Sequence, residues 1–213
     1  MVHLSKLYRW YVGTLVFNFT MMVVIIRFYV EPFSLAMDPF SWLGKITTSG
    51  GAANTGASLL FSVALFFNLF RWRKALALLS ETRLWKLKLV PILGHMVLFG
   101  FLLMAFPCDR FETIHSIGSG FVIGGLWAFI TLTLLSLKNE FTPRVFISLQ
   151  LFLHSAALFC GISFMLDAAL KGFSQRPLLL AIIAISAICL VFKMQRCADM
   201  QYRNHKPQLQ YDS

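Results

Sequence analysis

Six long apolar stretches constrain the fold of this chain more than any other feature of its sequence. They cover residues 10–30, 52–70, 89–106, 114–137, 145–166 and 177–192. A transmembrane helix needs about 17–25 mostly apolar residues to cross about 30 Å of hydrocarbon, and Lys193 can extend the short last stretch by snorkelling. Six crossings of a 213-residue chain leave no room for a folded soluble domain. The sequence therefore predicts an all-α, polytopic membrane protein, with a six-helix transmembrane domain over 1–200 and a short tail over 201–213.

The composition agrees with this prediction. The chain is 58% hydrophobic and only 13% charged, whereas a soluble domain carries about 25% charged residues. Its mean hydropathy is +0.72. These values exclude a cytosolic globular fold, a nucleic-acid-binding module and a disordered tail. The net charge of +10 would by itself suggest a nucleic-acid partner. In a membrane protein the same excess collects on the cytoplasmic side, so the positions of the basic residues decide between the two interpretations.

The basic residues are distributed unevenly between the two sides of the predicted bundle. One side has two Lys or Arg at the N-terminus, six in the second connection, two in the fourth and four in the tail, against five on the opposite side. The positive-inside rule then predicts that both termini are cytoplasmic. The basic segment 71–88 is interpreted either as an interfacial helix or as a plain connector. The first stretch is too long for a cleaved signal peptide.

Ionisable side chains at membrane depth are costly and mark functional sites by default. Near the predicted outer ends of the helices lie Asp38, Asp109, Glu112, His115 and Asp167. Glu112 and His115 share a helix face, being three residues apart, and such groups bind a metal, move a proton or hold a polar headgroup. We interpret Asp109, Glu112 and His115 as candidate catalytic residues, and Asp38 and Asp167 as candidate substrate ligands.

A purely structural interpretation of the same acids stays open. Asp109 and Glu112 have the spacing of a capping box, with Asp109 as the N-cap residue. Asp167 would then simply end the fifth helix in water, although a carboxylate is unfavourable at a helix C-terminus.

Two further histidines lie deeper, in the predicted cytoplasmic half of the membrane. His95 is seven residues past Lys88, and His154 is ten past Arg144, so their depths differ by only a few ångströms at about 1.5 Å per residue. Two imidazoles on neighbouring helices can ligate one b-type haem. The alternatives are a proton relay, a substrate contact, or a histidine that hydrogen-bonds a neighbouring helix.

Small residues at four-residue spacing predict close helix packing in the fourth stretch. Ser116, Gly120 and Gly124 form such a ladder, which lets helix backbones approach each other in a membrane. We therefore expect this helix to be central in the bundle. The four cysteines include no C-x-x-C pair, so their spacing indicates neither a zinc site nor a disulfide framework.

Four short motifs resemble those of a family of six-span bacterial membrane proteins of unknown function. They are Ser41-Trp42-Leu43-Gly44, Asn54-Thr55-Gly56, Phe106-Pro107-Cys108-Asp109 and His115-Ser116-Ile117-Gly118. The layout is also similar to the six-helix plan of DRAM/Frag-type eukaryotic proteins, which are linked with lipid remodelling and membrane trafficking. The resemblance implies a six-span fold in a bacterial inner membrane, and outer-face site residues at Ser41, Gly44, Asn54, Asp109 and His115.

These observations lead to three functional hypotheses. The leading one is a protein that binds or processes a lipid or lipid-linked substrate at the outer face, with membrane lipids as its partners. The second is a small permease, or an accessory subunit that binds another membrane protein. The third is a b-type haem protein that uses His95 and His154. Nucleic acid is excluded as a partner, and the sequence leaves the metal content, the cofactor and any enzymatic activity open.

Overall fold

The computed structural model describes residues 2–80, 89–166 and 168–205, and this part of the chain is helical. Its six α-helices are α1 (Val2–Phe28), α2 (Thr55–Ser80), α3 (Leu89–Met104), α4 (Glu112–Ser136), α5 (Pro143–Leu166) and α6 (Ala168–His205). Short 3-10 helices cover Phe40–Gly44 and Lys138–Glu140. Within the described ranges there is no β-strand, only an isolated antiparallel bridge between Thr47 and Ala53. The predicted all-α class is confirmed.

Five of these helices are long and apolar enough to cross a membrane. The candidate spans are Ser5–Phe28, Thr55–Ser80, Glu112–Ser136, Pro143–Phe164 and Gly172–Gln195. Helix α3 is also apolar, but its 16 residues fall just short of the roughly 17 that a crossing needs. The length and composition of the five helices indicate an integral membrane protein.

Several helix boundaries differ from the predicted spans. Helix α2 continues past residue 70 to Ser80, so the first part of the basic segment 71–88 belongs to a helix, while 81–88 lie outside the described residues. Helix α6 begins at Ala168, nine residues before Pro177, which lies inside the helix. Membrane helices tolerate an internal proline where neighbouring groups satisfy the freed backbone. Helix α6 also runs to His205, into the predicted tail, whose residues 206–213 lie outside the described part.

The helices pack mainly as neighbours in sequence. The most extensive contact joins α3 to α4, followed by α5 with α6 and α1 with α2. At the α3–α4 crossing, a Cβ added to Gly118 would lie 2.7 Å from the Met104 backbone nitrogen, and one added to Gly100 would lie 2.8 Å from the Gly118 carbonyl oxygen. Only glycine permits this approach of the two backbones.

The predicted ladder in α4 therefore has the wrong register. Gly120 and Gly124 have open space where a Cβ would be added. The close packing uses Gly118 and Gly125, and a Cβ on Gly125 would lie 2.6 Å from a Val97 methyl carbon. Helix α4 carries small residues on two faces. The face that meets α3 is the one with Gly118 and Gly125, which are seven residues apart.

The two ends of the bundle are built differently. We call the end where α4 begins the Glu112 end; it also carries the segment 29–54 and the α3–α4 connection. Toward the other end, α4, α5 and α6 share a buried cluster to which α4 contributes Ile130 and Leu134. At the Glu112 end the same three helices enclose a cavity.

Candidate functional site

The long connection between α1 and α2, residues 29–54, is fixed against the Glu112 end by Asp109. Its two carboxylate oxygens accept hydrogen bonds from the backbone N–H groups of Ile46, at 2.9 Å, and Thr47, at 3.0 Å. Partial burial raises the pKa of the Asp109 carboxyl, but these two N–H groups, its own backbone N–H and Arg110 outweigh burial, so the pKa lies below its usual value.

This role replaces the capping interpretation of Asp109, which is wrong. The N-cap residue of α4 is Phe111, which makes no side-chain capping hydrogen bond, and Glu112 is the first helical residue. Asp109 binds the distant 29–54 segment, a partner that local spacing cannot reveal.

Arg176 of α6 forms a second attachment for the same segment. Its guanidinium donates to the carbonyl oxygens of Leu35, at 2.7 Å, and Asp38, at 2.5 Å. The Phe40 ring lies 4.3 Å from the guanidinium carbon, a cation–π distance. Beside it, a Cβ on Gly172 would overlap the Met37 carbonyl, so only glycine lets the segment lie on α6 here.

A third attachment, at Glu31, lies within the segment itself. One oxygen of its carboxylate accepts hydrogen bonds from the Thr48 hydroxyl and, at 3.1 Å, from the Gly50 N–H. These attachments hold residues 39–45 over the gap between α4, α5 and α6.

The gap is a cavity of about 540 Å³, within the roughly 300–1,000 Å³ range of small-molecule sites. Its α4 wall extends from Glu112 to Leu126, about 21 Å at ~1.5 Å per residue. Along α4 the lining is polar from Glu112 to Ser119 and apolar from Val122 to Leu126. The polar lining residues are Ser41, Lys45, Cys108, Asp109, Glu112, His115, Ser116, Ser119 and Gln175, and apolar ones include Val122, Ile123, Leu126, Leu178, Leu179 and Ile182.

His115 is the buried histidine of this cavity wall. Its side chain is 3% exposed, and its ring stacks on that of Phe61 with 6.5 Å between centroids. Nδ1 lies 2.9 Å from the Phe106 carbonyl oxygen. Nε2 is buried and makes no hydrogen bond with the described part of the chain. A backbone carbonyl, rather than a carboxylate, therefore orients the imidazole.

Two other predicted site residues lie in the same wall. Glu112 is exposed and stands in the first turn of α4, where the helix dipole favours a carboxylate. Ser41 lines the cavity, and its carbonyl oxygen accepts the Cys108 thiol at 3.1 Å. Burial raises the pKa of Cys108 to about 11, so its sulfur is a neutral thiol and a poor nucleophile at pH 7.

The remaining outer candidates lie elsewhere. Asn54 is 1% exposed and donates from Nδ2 to the Lys45 carbonyl oxygen at 2.8 Å, so it holds the segment against the start of α2 and does not line the cavity. Asp38 accepts the Ser34 N–H at 2.7 Å and is also absent from the cavity wall. Asp167 lies outside the described residues.

His95 and His154 are both exposed side chains outside the cavity. Nδ1 of His95 lies 2.7 Å from the Pro91 carbonyl oxygen, one turn back in its own helix. Nδ1 of His154 accepts the Trp127 indole N–H at 3.1 Å. The His95 ring thus bonds its own helix and the His154 ring bonds the neighbouring helix α4, and haem ligation by this pair stays a prediction.

Several residues of the cavity and of its cover were not singled out from the sequence. Gln175 lines the cavity and accepts the Phe40 N–H at 3.4 Å, and Arg176 and Glu31 hold the 29–54 segment. The available signal was the polar pair Gln175-Arg176 directly before Pro177, between two apolar stretches. A predicted span that begins at Pro177 leaves this pair in the preceding loop.

Among the described residues, no group of three or more His, Cys, Asp or Glu side chains is placed to hold a metal ion. Comparison with protein-family models, curated proteins and solved structures finds no match to this chain. The cavity and its polar groups therefore carry the functional argument.

Proposed function

We propose that the cavity at the Glu112 end binds the polar end of a lipid or lipid-linked molecule and the first part of one of its chains. The observation that supports this most directly is the division of the lining. Polar side chains stand at the Glu112 end, and the wall then becomes apolar over the length of α4 as far as Leu126. An amphipathic ligand has the same order of groups.

The packing of the helices offers such a ligand a route from the side. Helix α4 packs on α5 and α6 less extensively than on α3, and its fully buried contacts with them lie at Ile130 and Leu134, beyond the cavity. Helix α4 therefore approaches α5 and α6 closely at one end and separates from them at the Glu112 end, where α5 and α6 stay packed on each other. A lipid chain can enter between them without crossing the polar connection.

Our proposal includes a topology of six crossings with both termini in the cytoplasm. The excess of Lys and Arg in the second connection and the tail supports it, and α3 supplies the sixth apolar helix. The Glu112 end then faces outward, and the ligand comes from the outer leaflet. The resemblance to six-span bacterial proteins adds a bacterial inner membrane as the location.

Filling the cavity tests this function. Ser119 lines it, and Ser119→Phe would occupy the space one turn beyond His115; Ile182→Trp would do the same from α6. The matched control is Gly120→Phe, because Gly120 is the neighbouring residue of α4 and has open space around it. Each variant is purified in mild detergent, its melting temperature is checked, and its bound lipid is quantified by mass spectrometry.

We expect about one tightly bound lipid per chain in the wild type and in Gly120→Phe, and a large loss in both cavity-filling variants. Equal lipid content in all folded variants would contradict the proposal.

A second candidate function, that of an accessory subunit, is favoured by the exposed histidines. His95 and His154 lie on helix surfaces at the depth of the membrane, and polar groups that face lipid are costly. A partner helix would cover them. A protein that co-purifies in stoichiometric amount with the wild type, but not with a His95→Leu, His154→Leu double variant, would support this function.

A further inference from the structure

Arg71 of α2 is the centre of a second polar site, between α1 and α2 and away from the Glu112 end. Its Nε donates to the Thr14 hydroxyl at 2.9 Å, and its guanidinium carbon lies 4.7 Å from the centre of the Trp10 ring. The Trp10 indole N–H donates to the Arg71 carbonyl oxygen at 3.0 Å. A Cβ added to Gly13 would lie 3.1 Å from Nη2, so this glycine leaves room for the group. Helix α1 therefore fixes the guanidinium in one position.

The positive charge of this guanidinium has no carboxylate partner in the two helices that hold it, because neither α1 nor α2 contains Asp or Glu. Within the described residues its side chain makes one hydrogen bond, the one to Thr14. Nη1 and Nη2 are not among the buried atoms that lack a partner, so within this part of the chain they are open at the protein surface. A charged group at membrane depth is costly unless it is paired. The two terminal nitrogens therefore call for an anion.

The depth of Arg71 in the membrane indicates that this anion belongs to a lipid. Arg71 lies 16 residues after Thr55, the first residue of α2, which is about 24 Å at ~1.5 Å per residue. The hydrocarbon core is about 30 Å thick, so a helix that enters near Thr55 brings Arg71 close to the far boundary, within reach of the headgroups by snorkelling. At the same level Val16 and Phe70 are 60% and 62% exposed. These apolar side chains suit acyl chains better than water.

Two further basic side chains narrow the ligand to a lipid with net negative charge. Lys6 precedes Trp10 by about one helical turn, Lys74 follows Arg71 by three residues, and both lysines are exposed. The two helices run in opposite directions, so both lysines lie beyond Arg71, on the side of the aqueous phase. Basic side chains at this level attract anionic lipids and repel the trimethylammonium group of phosphatidylcholine. A guanidinium can donate two parallel hydrogen bonds to one phosphate.

We propose that the crevice between α1 and α2 binds an anionic phospholipid, whose phosphate accepts hydrogen bonds from Nη1 and Nη2 of Arg71. This site is additional to the proposed function, because neither Arg71 nor its partners Trp10 and Thr14 line the cavity. Its lipid comes from the leaflet opposite the Glu112 end, which is the cytoplasmic leaflet in the topology proposed above. Phosphatidylglycerol has the required charge.

The test is a competition between two lipids that differ in headgroup charge. Delipidated full-length protein in mild detergent is incubated with an equimolar mixture of phosphatidylglycerol and phosphatidylcholine with identical acyl chains, and the bound lipids are quantified by mass spectrometry. The wild type and Ser119→Phe are both measured, because Ser119→Phe fills the cavity and leaves the α1–α2 crevice unchanged. We expect a preference of about tenfold for phosphatidylglycerol in Ser119→Phe, the effect of hydrogen bonds between charged groups.

Two substitutions in the Ser119→Phe chain assign the preference to the guanidinium. Arg71→Gln removes the charge, and the preference should fall to about one. Gly13→Leu keeps every charge but occupies the place of the guanidinium, since Nη2 is the one described atom within 4 Å of a Cβ at this position; the same fall is expected, also if Arg71→Gln does not fold. The matched control is Arg73→Gln, which removes an exposed charge two residues further along α2, on its opposite side. It should keep the preference.

The contrary outcomes are distinct from a failure of the proposed function. Equal binding of the two lipids by Ser119→Phe refutes the site, and so does a preference that Arg71→Gln and Arg73→Gln lower to the same extent, because diffuse charge would then explain it. Displacement of phosphatidylglycerol by an excess of inorganic phosphate would show that the ligand is a soluble anion and would overturn the lipid assignment. The proposed function fails independently, if Ser119→Phe binds as much lipid as the wild type.

Discussion

Replacing Gly118 by alanine tests the packing of α4 on α3, which positions the cavity wall. The new Cβ would lie 2.7 Å from the Met104 backbone nitrogen and 2.9 Å from the Gly100 carbonyl oxygen. Both neighbours are backbone atoms of the facing helix, so the helices themselves have to separate. Overpacking of this kind costs about 1–3 kcal/mol, and contacts under 3 Å with backbone place Gly118→Ala at the upper end of that range.

The gain in helix propensity offsets part of this cost. Alanine is favoured over glycine in a helix interior by about 1 kcal/mol, so the net loss for Gly118→Ala is about 2 kcal/mol. Gly120→Ala and Gly124→Ala receive the same gain with no contact to oppose it, because their surroundings are open. We therefore expect a destabilised Gly118 variant and two slightly stabilised controls on the same helix.

The assay is reversible unfolding in mixed micelles with increasing sodium dodecyl sulfate, followed by far-ultraviolet circular dichroism. The expected difference between Gly118→Ala and either control is about 3 kcal/mol, or roughly a hundredfold in the unfolding equilibrium. Equal stability of the three variants would refute the assigned register of α4, and destabilisation of only the Gly120 and Gly124 variants would restore the ladder predicted from the sequence.

Four further predictions concern the 29–54 segment and its attachments. Asp109→Asn removes the ionised acceptor of the Ile46 and Thr47 N–H groups. We expect the local stability to fall by about 1 kcal/mol, a small loss because the carboxylate is exposed. Hydrogen exchange of those two amides should become faster, and unchanged exchange would contradict this prediction. Because the folded-state pKa of Asp109 is lowered, its contribution to stability is complete above the usual carboxyl pKa and is lost as the pH falls through the lowered value. The protection of the same two amides from hydrogen exchange should therefore depend less on acid pH in Asp109→Asn than in the wild type. Arg176→Gln removes hydrogen bonds to two carbonyl groups of the segment and should make 29–54 more sensitive to protease, with Arg73→Gln as the matched control. Burial raises the pKa of the Cys108 thiol to about 11, so it should react slowly with maleimide at pH 8 and faster as the pH approaches 11. Fast reaction at pH 7 would contradict the burial of this thiol.

The positions of the helices could be predicted from sequence because the length of an apolar stretch is a local property. Five of the six predicted stretches coincide with helices that are long enough to cross a membrane. The ends were less predictable. Pro177 resembled the start of a helix, whereas α6 begins at Ala168 and contains it.

Contacts between distant segments could not be predicted in the same way. The spacing of Ser116, Gly120 and Gly124 indicates close packing, but Gly118 belongs to the face that meets α3. Likewise, the spacing of Asp109 resembles an N-cap, but its partners lie in the 29–54 segment. Each error arises because spacing along one helix does not identify the neighbouring chain.

The candidate site was predictable only in part, and for a physical reason. His115 was singled out because ionisable groups are costly in a membrane, and it lies in the cavity wall. Asn54 and Asp38 are of the same polar type but hold the connecting segment. The cavity, which carries the argument for a ligand, is formed by α4, α6 and the 29–54 segment together and is visible only in three dimensions.

The central claim is that a lipid occupies the cavity with its polar end at the Glu112 end. The most direct measurement is a cryo-electron-microscopy structure of the full chain in nanodiscs that contain phosphatidylethanolamine. We predict elongated density along α4 from Glu112 toward Leu126, with its polar end near Glu112. A cavity that contains only ordered water, or lipid density that is confined to the outside of the helices, would contradict the account.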